Sequence, residues 1–253
     1  MTTPIALQLY TLRERLAQDF EGTIRTVADI GYIGVETANM FGGSPAAAAR
    51  LFSELGLSVT GAHSPPPLED KKQEVIDTMG ALNCKRLVVA WQPPEKYKSL
   101  DGIKSICETL NEGAAVAKAN GFQLGYHNHW FEYEPVENRI PVDVMLEHLD
   151  PNVFFEVDVY WVQTAGQDPA QVVRRLGPRA PLLHVKDGPC QIDAPMTALG
   201  EGVVDIPSVV EAGTDATEWL VVELDRCATD MLEAVRKSYQ YLIGKGLAHG
   251  NKD

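Results

Sequence analysis

Short apolar runs alternate with amphipathic stretches along the chain. Ile5–Leu9 is a compact apolar run, and after a polar turn Phe20, Ile24, Val27 and Ile30 recur at helical spacing within Asp19–Ile30. Gly31 ends that helix, Gly34-Val35-Glu36 forms the next strand, and Ser44 with Pro45 supplies an N-cap and a first-turn proline for an Ala-rich helix to Leu55. Leu57–Ala62 predicts a third strand that stops at His63 before three prolines, followed by a helix over Lys71–Leu82. Arg86–Ala90 reads as a fourth strand ending at Trp91, and Asp101–Asn120 as a fourth helix stopped by Gly121. The second half repeats the plan, with strands at Phe122–Tyr126, Val153–Asp158, Leu182–Val185 and Trp219–Leu224. Its helices are expected at Val142–Leu149, Asp168–Leu176, Pro207–Ala212 and Met231–Leu242.

Eight strand–helix pairs in 253 residues predict an α/β fold, a parallel eight-stranded (β/α)₈ TIM barrel, whose strands are buried on both faces and therefore read as apolar runs. An open doubly wound sheet would usually carry a Gly-rich phosphate loop after its first strand. Here that position reads Gln8-Leu9-Tyr10-Thr11. No Gly/Ser-rich linker or charge block interrupts the alternation, so residues 1–253 are expected to form one domain.

In a barrel of this kind the chemistry lies at the C-terminal ends of the strands. Those ends carry Gln8, Glu36, His63, Trp91, His127 with His129, Glu156 with Asp158, His184 with Lys186, and Glu223 with Asp225. Residues two apart on a strand share a face, so each pair looks the same way. Charged groups inside strands are costly to bury unless paired or bound to a metal. Four successive strands offering His, Asp and Glu make a mixed nitrogen and oxygen set for one divalent cation, suited to Mn²⁺, Zn²⁺, Co²⁺ or Fe²⁺ better than to Ca²⁺. Taken singly, each residue has a plainer reading: His184 as a core histidine, Lys186-Asp187 as an ion pair, Glu156 as the partner of an arginine, His63 as a turn cap and Trp91 as rim packing.

Composition narrows the partners. A formal charge of −13 and a pI near 4.9 oppose a nucleic-acid backbone or an anionic membrane surface at long range. Four scattered cysteines, without a CxxC pair, read as reduced thiols of a cytoplasmic protein. The N-terminus lacks the basic and apolar regions of a signal peptide, and no apolar run approaches the length of a membrane span.

Five stretches carry a family resemblance: Gly-Tyr-His-Asn-His-Trp-Phe-Glu at 125–132, Glu-Val-Asp-Val-Tyr-Trp at 156–161, Leu-Leu-His-Val-Lys-Asp at 182–187, Leu-Gly-Glu-Gly-Val-Val-Asp at 199–205 and Val-Val-Glu-Leu-Asp at 221–225. The chain resembles the xylose isomerase-like barrels, the sugar phosphate isomerase/epimerase superfamily, over nearly its whole length. The histidine-rich stretch is similar to one in inosose dehydratases. The resemblance implies a divalent metal held by Asp158, His184 and Glu223, with His127 where the family commonly has a glutamate. Glu132 and Glu156 are alternatives for that fourth place. It further implies catalytic roles for Glu223 as base, Lys186 and Glu156, and substrate contacts from Gln8, Glu36, His63, Trp91, His129 and Trp161.

The implied activity is a metal-dependent sugar isomerase or epimerase acting on a small keto sugar or cyclitol through an enediolate. A dehydratase/lyase on similar substrates is the alternative, and a non-catalytic sugar-binding barrel is a third. The expected partner is a small-molecule carbohydrate, with no nucleic acid and no membrane, and self-association into a homo-oligomer is left open. The endonuclease branch of the superfamily needs further histidines after the sixth and seventh strands. Residues 188–205 contain none, which argues against DNA incision.

Overall fold

The computed structural model describes residues 2–252. Eight parallel strands close on themselves: β1 (Thr3–Gln8), β2 (Gly34–Thr37), β3 (Ser58–His63), β4 (Arg86–Val89), β5 (Gln123–His127), β6 (Phe154–Asp158), β7 (Leu182–Val185) and β8 (Trp219–Val222). β8 pairs back onto β1, with Ile5 opposite Leu220, and β1 pairs on its other side with β2, with Ala6 opposite Gly34. The architecture is therefore the TIM barrel anticipated from the alternation.

Among the described residues ten α-helices surround it: α1 (Arg13–Gln18), α2 (Phe20–Ile30), α3 (Pro45–Glu54), α4 (Lys72–Leu82), α5 (Leu100–Ala119), α6 (Pro141–His148), α7 (Val159–Thr164), α8 (Pro169–Leu176), α9 (Ile206–Gly213) and α10 (Met231–Gly244). Their starts follow local chemistry. Asp19, Ser44, Ser99, Asp168, Asp205 and Asp230 each accept a first-turn backbone N–H as N-cap, and prolines open α3, α6 and α8. The apolar faces of these helices and the outward faces of the strands make one continuous core.

Three elements differ from the sequence expectation, the first being α1, a helix where a polar turn is expected. The run Val159-Tyr160-Trp161-Val162 turns into the one-and-a-half-turn helix α7, because Asp158 stops the strand and caps the helix by accepting the Trp161 N–H at 3.0 Å. A two-residue strand, β9 (Ala248–His249), pairs in parallel with Thr3 and Pro4 at the opposite end of the barrel from the collected polar residues. Among the described residues no helix is long and apolar enough to cross a membrane.

Inside the barrel, Val88, Phe154, Leu182 and Trp219 form a separate apolar cluster. Phe154 fits only because Gly125 faces it: a Cβ there would collide with the ring. Strand parity then puts the next inward residues, Glu156, His184 and His127, directly above this floor.

Candidate active site

The first polar layer above the floor is dense and charged. Glu36 Oε2 accepts from Gln8 Nε2 at 2.7 Å, lies 2.6 Å from His184 Nε2 and 3.2 Å from His63 Nε2. Glu156 Oε2 lies 2.8 Å from His63 Nε2, 3.0 Å from His127 Nδ1 and 3.1 Å from His184 Nε2. Two carboxylates and three imidazoles thus share one buried volume, and the arginine that might have paired with Glu156 is replaced by histidines. Gly61 makes room for Glu36, since a Cβ at that position would run into its Oε1.

The second layer faces the strand ends. His127 Nε2 is 3.8 Å from Asp158 Oδ2, and His184 Nδ1 is 2.8 Å from Glu223 Oε2. The Lys186 ammonium lies 2.8 Å from Asp158 Oδ2, 2.7 Å from Glu223 Oε2 and 2.9 Å from Asp225 Oδ2. Asp225, at 28% side-chain exposure, is the member of this layer nearest solvent.

Burial and mutual charge set the protonation states. Burial opposes charge on Glu36 and Glu223, but His63 and His184 around Glu36, and Lys186 and His184 around Glu223, outweigh it and hold both carboxyls below the ordinary range. Burial likewise disfavours the charged Lys186 and His184, yet the surrounding carboxylates raise both well above their usual values. His63 is pushed up to about 10 as Glu36 and Glu156 overcome its burial. Burial raises Asp158 to about 6 despite Lys186, and raises Glu156, with the Glu36 charge adding to the effect. His127 goes the other way: burial and its cationic neighbours keep its imidazole neutral, the form that binds metals.

The donor chemistry fits a divalent cation, whose binding would displace the extra ring proton that the carboxylates favour on His184. His127, Asp158, His184 and Glu223 each offer one atom, and these four atoms lie within 4.8 Å of one another. Metal–ligand distances of about 2.0–2.2 Å place donors roughly 3–4 Å apart, so modest closure would suffice. An ammonium already sits against two of the four, which marks the volume as one that favours positive charge. A second set, His63, His127, Glu156 and His184, is equally close-knit but lies in the deeper layer.

The wall above the charged layers is aromatic. His129 stacks on Phe131 at 5.4 Å, Trp91 stands edge-on to His129 at 5.1 Å, and Trp130 packs on Trp161 at 5.1 Å. The Lys186 ammonium lies 5.7 Å from the Trp161 ring centre. Trp91 is 54% exposed, and it shares with His63, Pro65, Pro66 and Pro93 a cavity of about 440 Å³. His129 Nδ1 and Trp161 Nε1 are buried without a partner, so both are available to a bound polar molecule. A larger cavity of about 710 Å³ lies between α1, α2 and the β8–α10 loop, and none of the clustered carboxylates or histidines lines it.

Three residues that strand-end reasoning underweighted hold this architecture. Asn128 clamps β5 to β6, donating to the Asp158 carbonyl at 3.2 Å and accepting the Asp158 N–H at 3.0 Å. Glu132 lies outside the metal-donor groups: its carboxylate accepts Tyr126 Oη–H at 2.5 Å and the His129 N–H at 2.8 Å, which sets the loop after β5. Asp187 does not pair with Lys186. Its two oxygens accept the N–H groups of Gly188, Gly200, Gly202 and Val204 at 2.8–3.1 Å, which gathers the long loop between β7 and α9. The glycines of Leu-Gly-Glu-Gly-Val-Val, 13 and 15 residues after Asp187, were the available signal for that last role.

The family model described as xylose isomerase-like TIM barrel matches residues 24–243. No curated protein sequence matches the chain. Among solved structures, a sugar phosphate isomerase/epimerase from Parabacteroides distasonis superposes with a TM-score of 0.84 at 23% identity, over 98% of this chain and 96% of that one. The probable 3-DHS dehydratase AsbF from Bacillus anthracis gives a TM-score of 0.78 at 12% identity, over 95% and 99% of the two chains. The IolI protein with a bound zinc atom gives 0.73 at 14% identity, over 97% and 99%. At these identities the solved structures speak to the fold, while the family model spans most of the sequence: the chain belongs to the xylose isomerase-like TIM barrel family.

Proposed function

We propose that the chain is a metal-dependent isomerase or epimerase of small, unphosphorylated keto sugars or keto-cyclitols. The observation that carries this reading is the convergence of His127, Asp158, His184 and Glu223 around the Lys186 ammonium at the ends of four consecutive strands. A divalent ion of the Mn²⁺, Zn²⁺, Co²⁺ or Fe²⁺ class, held by those four residues, would supply Lewis acidity toward vicinal sugar oxygens. The relatives named above as an isomerase/epimerase and as a zinc-binding protein are consistent with it.

The chain's own residues have separable tasks. Glu223, at the upper edge of the cluster, takes the proton α to the substrate carbonyl and returns it, to the same or the neighbouring carbon. Asp158, Glu223 and Asp225 favour the ammonium form of Lys186. It therefore acts as a fixed positive charge beside the oxyanion rather than as a proton shuttle. His63 and Trp91 line the open cavity, and His129 and Trp161 stand in the aromatic wall beside Trp91 and Trp130, where aromatic faces suit the C–H face of a sugar and the unpartnered ring nitrogens suit its hydroxyls. The nearby arginines are occupied: Arg226 donates to the carbonyls of Ile192 and Asp193, and Arg13 to those of Tyr10 and Asp225. Among the described residues these two arginines are thus already engaged by backbone carbonyls, which supports an unphosphorylated substrate.

Glu223→Gln is expected to lower solvent deuterium exchange into the substrate by about 10²-fold or more, with the fold retained. Unchanged exchange would remove Glu223 as the base. Metal analysis of the purified protein tests the premise: failure to take up Mn²⁺, Co²⁺ or Zn²⁺ would count against an enzyme of this kind.

One observation favours a second reading, elimination of a β-hydroxyl. His63 is a protonated imidazole that borders the open cavity and so offers an acid for a departing hydroxyl. An unsaturated or deoxy-keto product would establish the lyase, whereas deuterium incorporation without loss of water supports the isomerase or epimerase.

A further inference from the structure

The two donor sets share His127 and His184. Each imidazole can give one nitrogen to only one layer, so the pair raises a question of orientation: which nitrogen faces the metal, and what fixes it. The geometry answers residue by residue. His184 points Nε2 at Glu36 Oε2, 2.6 Å away, and Nδ1 toward Glu223 and the upper layer. His127 points Nδ1 at Glu156 Oε2, 3.0 Å away, and Nε2 toward Asp158. The two rings thus present opposite nitrogens upward, each backed by its own buried carboxylate.

We propose that Glu36 and Glu156 are positioning residues that accept the Nε2–H of His184 and the Nδ1–H of His127, fixing the rings so that His184 Nδ1 and His127 Nε2 are the atoms offered to the metal. The proposal rests on the reading of His127, Asp158, His184 and Glu223 as the metal set. It assigns the deep layer a supporting role: its carboxylates hold ligand rings rather than ligate, and Glu156 takes no part in proton transfer.

Three features beyond the distances support this division of labour. Glu36 and Glu156 are fully buried beneath the histidines, out of reach of a substrate entering from the strand ends. Gln8 braces Glu36 from the side by donating to the same Oε2, and Gly61 clears the space for its other oxygen. A metal-ligating histidine usually donates its second ring N–H to a carboxylate, carbonyl or water, and loss of that partner typically weakens metal binding 10–100-fold. A glutamine in place of Glu36 keeps the shape, but with its amide NH2 at the shared position it faces the imidazole as a donor, which favours the wrong tautomer, and with its oxygen there it lacks the carboxylate's charge.

The experiment uses the whole protein labelled with ¹⁵N in its histidine rings. Long-range ¹H–¹⁵N spectra of the Zn²⁺-loaded protein are expected to show His184 metallated at Nδ1 with a proton on Nε2, and His127 metallated at Nε2 with a proton on Nδ1. Spectra of the metal-free protein are expected to show the same protonated nitrogen on His127. Glu36→Gln and Glu156→Gln should each weaken Zn²⁺ binding 10–100-fold in competition with a chromogenic chelator, with an altered ring pattern at His184 and His127 respectively. Metal found on His184 Nε2 or His127 Nδ1 would overturn the proposal, as would unchanged affinity and ring patterns in both variants. A wild-type protein that binds no Zn²⁺ would instead refute the metal-site reading, and the metal-free spectrum of His127 would still confirm or overturn its anchoring by Glu156.

Discussion

Lys186 shows how much one side chain carries here. Its ammonium is the counter-charge for Asp158, Glu223 and Asp225, two of which are fully or nearly fully buried. Removing one partner of such a group leaves uncompensated buried charge, at a cost of about 3–5 kcal/mol. Lys186→Met should therefore lower the thermal midpoint of the metal-free protein markedly, and saturating Mn²⁺ or Zn²⁺ should recover most of the loss by replacing the missing charge. A midpoint that metal cannot restore would argue that the lysine and the cation do not share this volume.

Glu132 gives a second, independent test at the same scale. Burial raises its carboxyl to about 8, against the hydrogen bonds from Tyr126 and the His129 N–H. The folded state therefore holds a proton that the unfolded state releases above its own value near 4.5. The contribution is fully present below that lower value and is lost as pH rises toward about 8, with a slope of about 1.4 kcal/mol per unit. Glu132→Gln, which mimics the protonated acid, should be more nearly pH-independent between about 5 and 8 than the parent in denaturant titrations. Equal slopes in the two proteins would mean that the carboxyl is already ionised when folded. Sequence could not show this residue's place, because strand parity stops at His127 and the loop beyond it turns Glu132 outward onto Tyr126.

The element that most depends on a single anchor is the loop of residues 188–205. Asp187 Oδ1 accepts from Gly188 and Val204, and Oδ2 from Gly200 and Gly202, so a carboxylate is needed on both sides. Asp187→Asn exchanges one acceptor for a donor and strands two N–H groups, at a cost of about 2–4 kcal/mol. Amide exchange should speed up across 188–205 while β1 through β8 stay protected. Gly202→Ala should do the same, since a Cβ there would collide with Asp187 Oδ1 and Gly188 N. Exchange that rises uniformly over the barrel would show a general loss of stability instead. The motif was readable as a string, but a carboxylate's hold on distant amides is a tertiary fact. The strand cores were more legible, since their apolar runs and two-residue parity already predicted that Glu156, Asp158, His184 and Glu223 look inward. The sequence expectation ends the sixth strand at Asp158 and assigns nothing to Val159–Val162, where the Asp158 carboxylate caps the apolar run into α7.

Across the whole molecule the two ends of the barrel do different work, and the short strand β9 lets them be separated. Alternating apolar and amphipathic segments sufficed to anticipate the barrel, because eight repeated burials on both strand faces leave few other closures. β9 had no such signal: two residues carry no period, and their pairing with Thr3 and Pro4 depends on where α10 delivers the chain. There β9 extends the sheet at the N-terminal end of β1, and the Asn251 N–H reaches the Gly31 carbonyl at 2.8 Å. The candidate site begins at the other end of that strand, with Gln8 against Glu36. Conserving the closure of β1 with β2 and β8 while deleting residues 248–253 should therefore cost stability without disturbing the donors. The expected loss is about 1–3 kcal/mol, from a few backbone hydrogen bonds and the buried Ala248. Zn²⁺ affinity, measured well below the lowered thermal midpoint, should stay within about twofold of the parent. A large fall in affinity in the truncated protein would show that the N-terminal end of β1 helps set Gln8, and through it Glu36 and the His184 ring, so that the supporting end and the chemical end would have to be treated as one coupled unit.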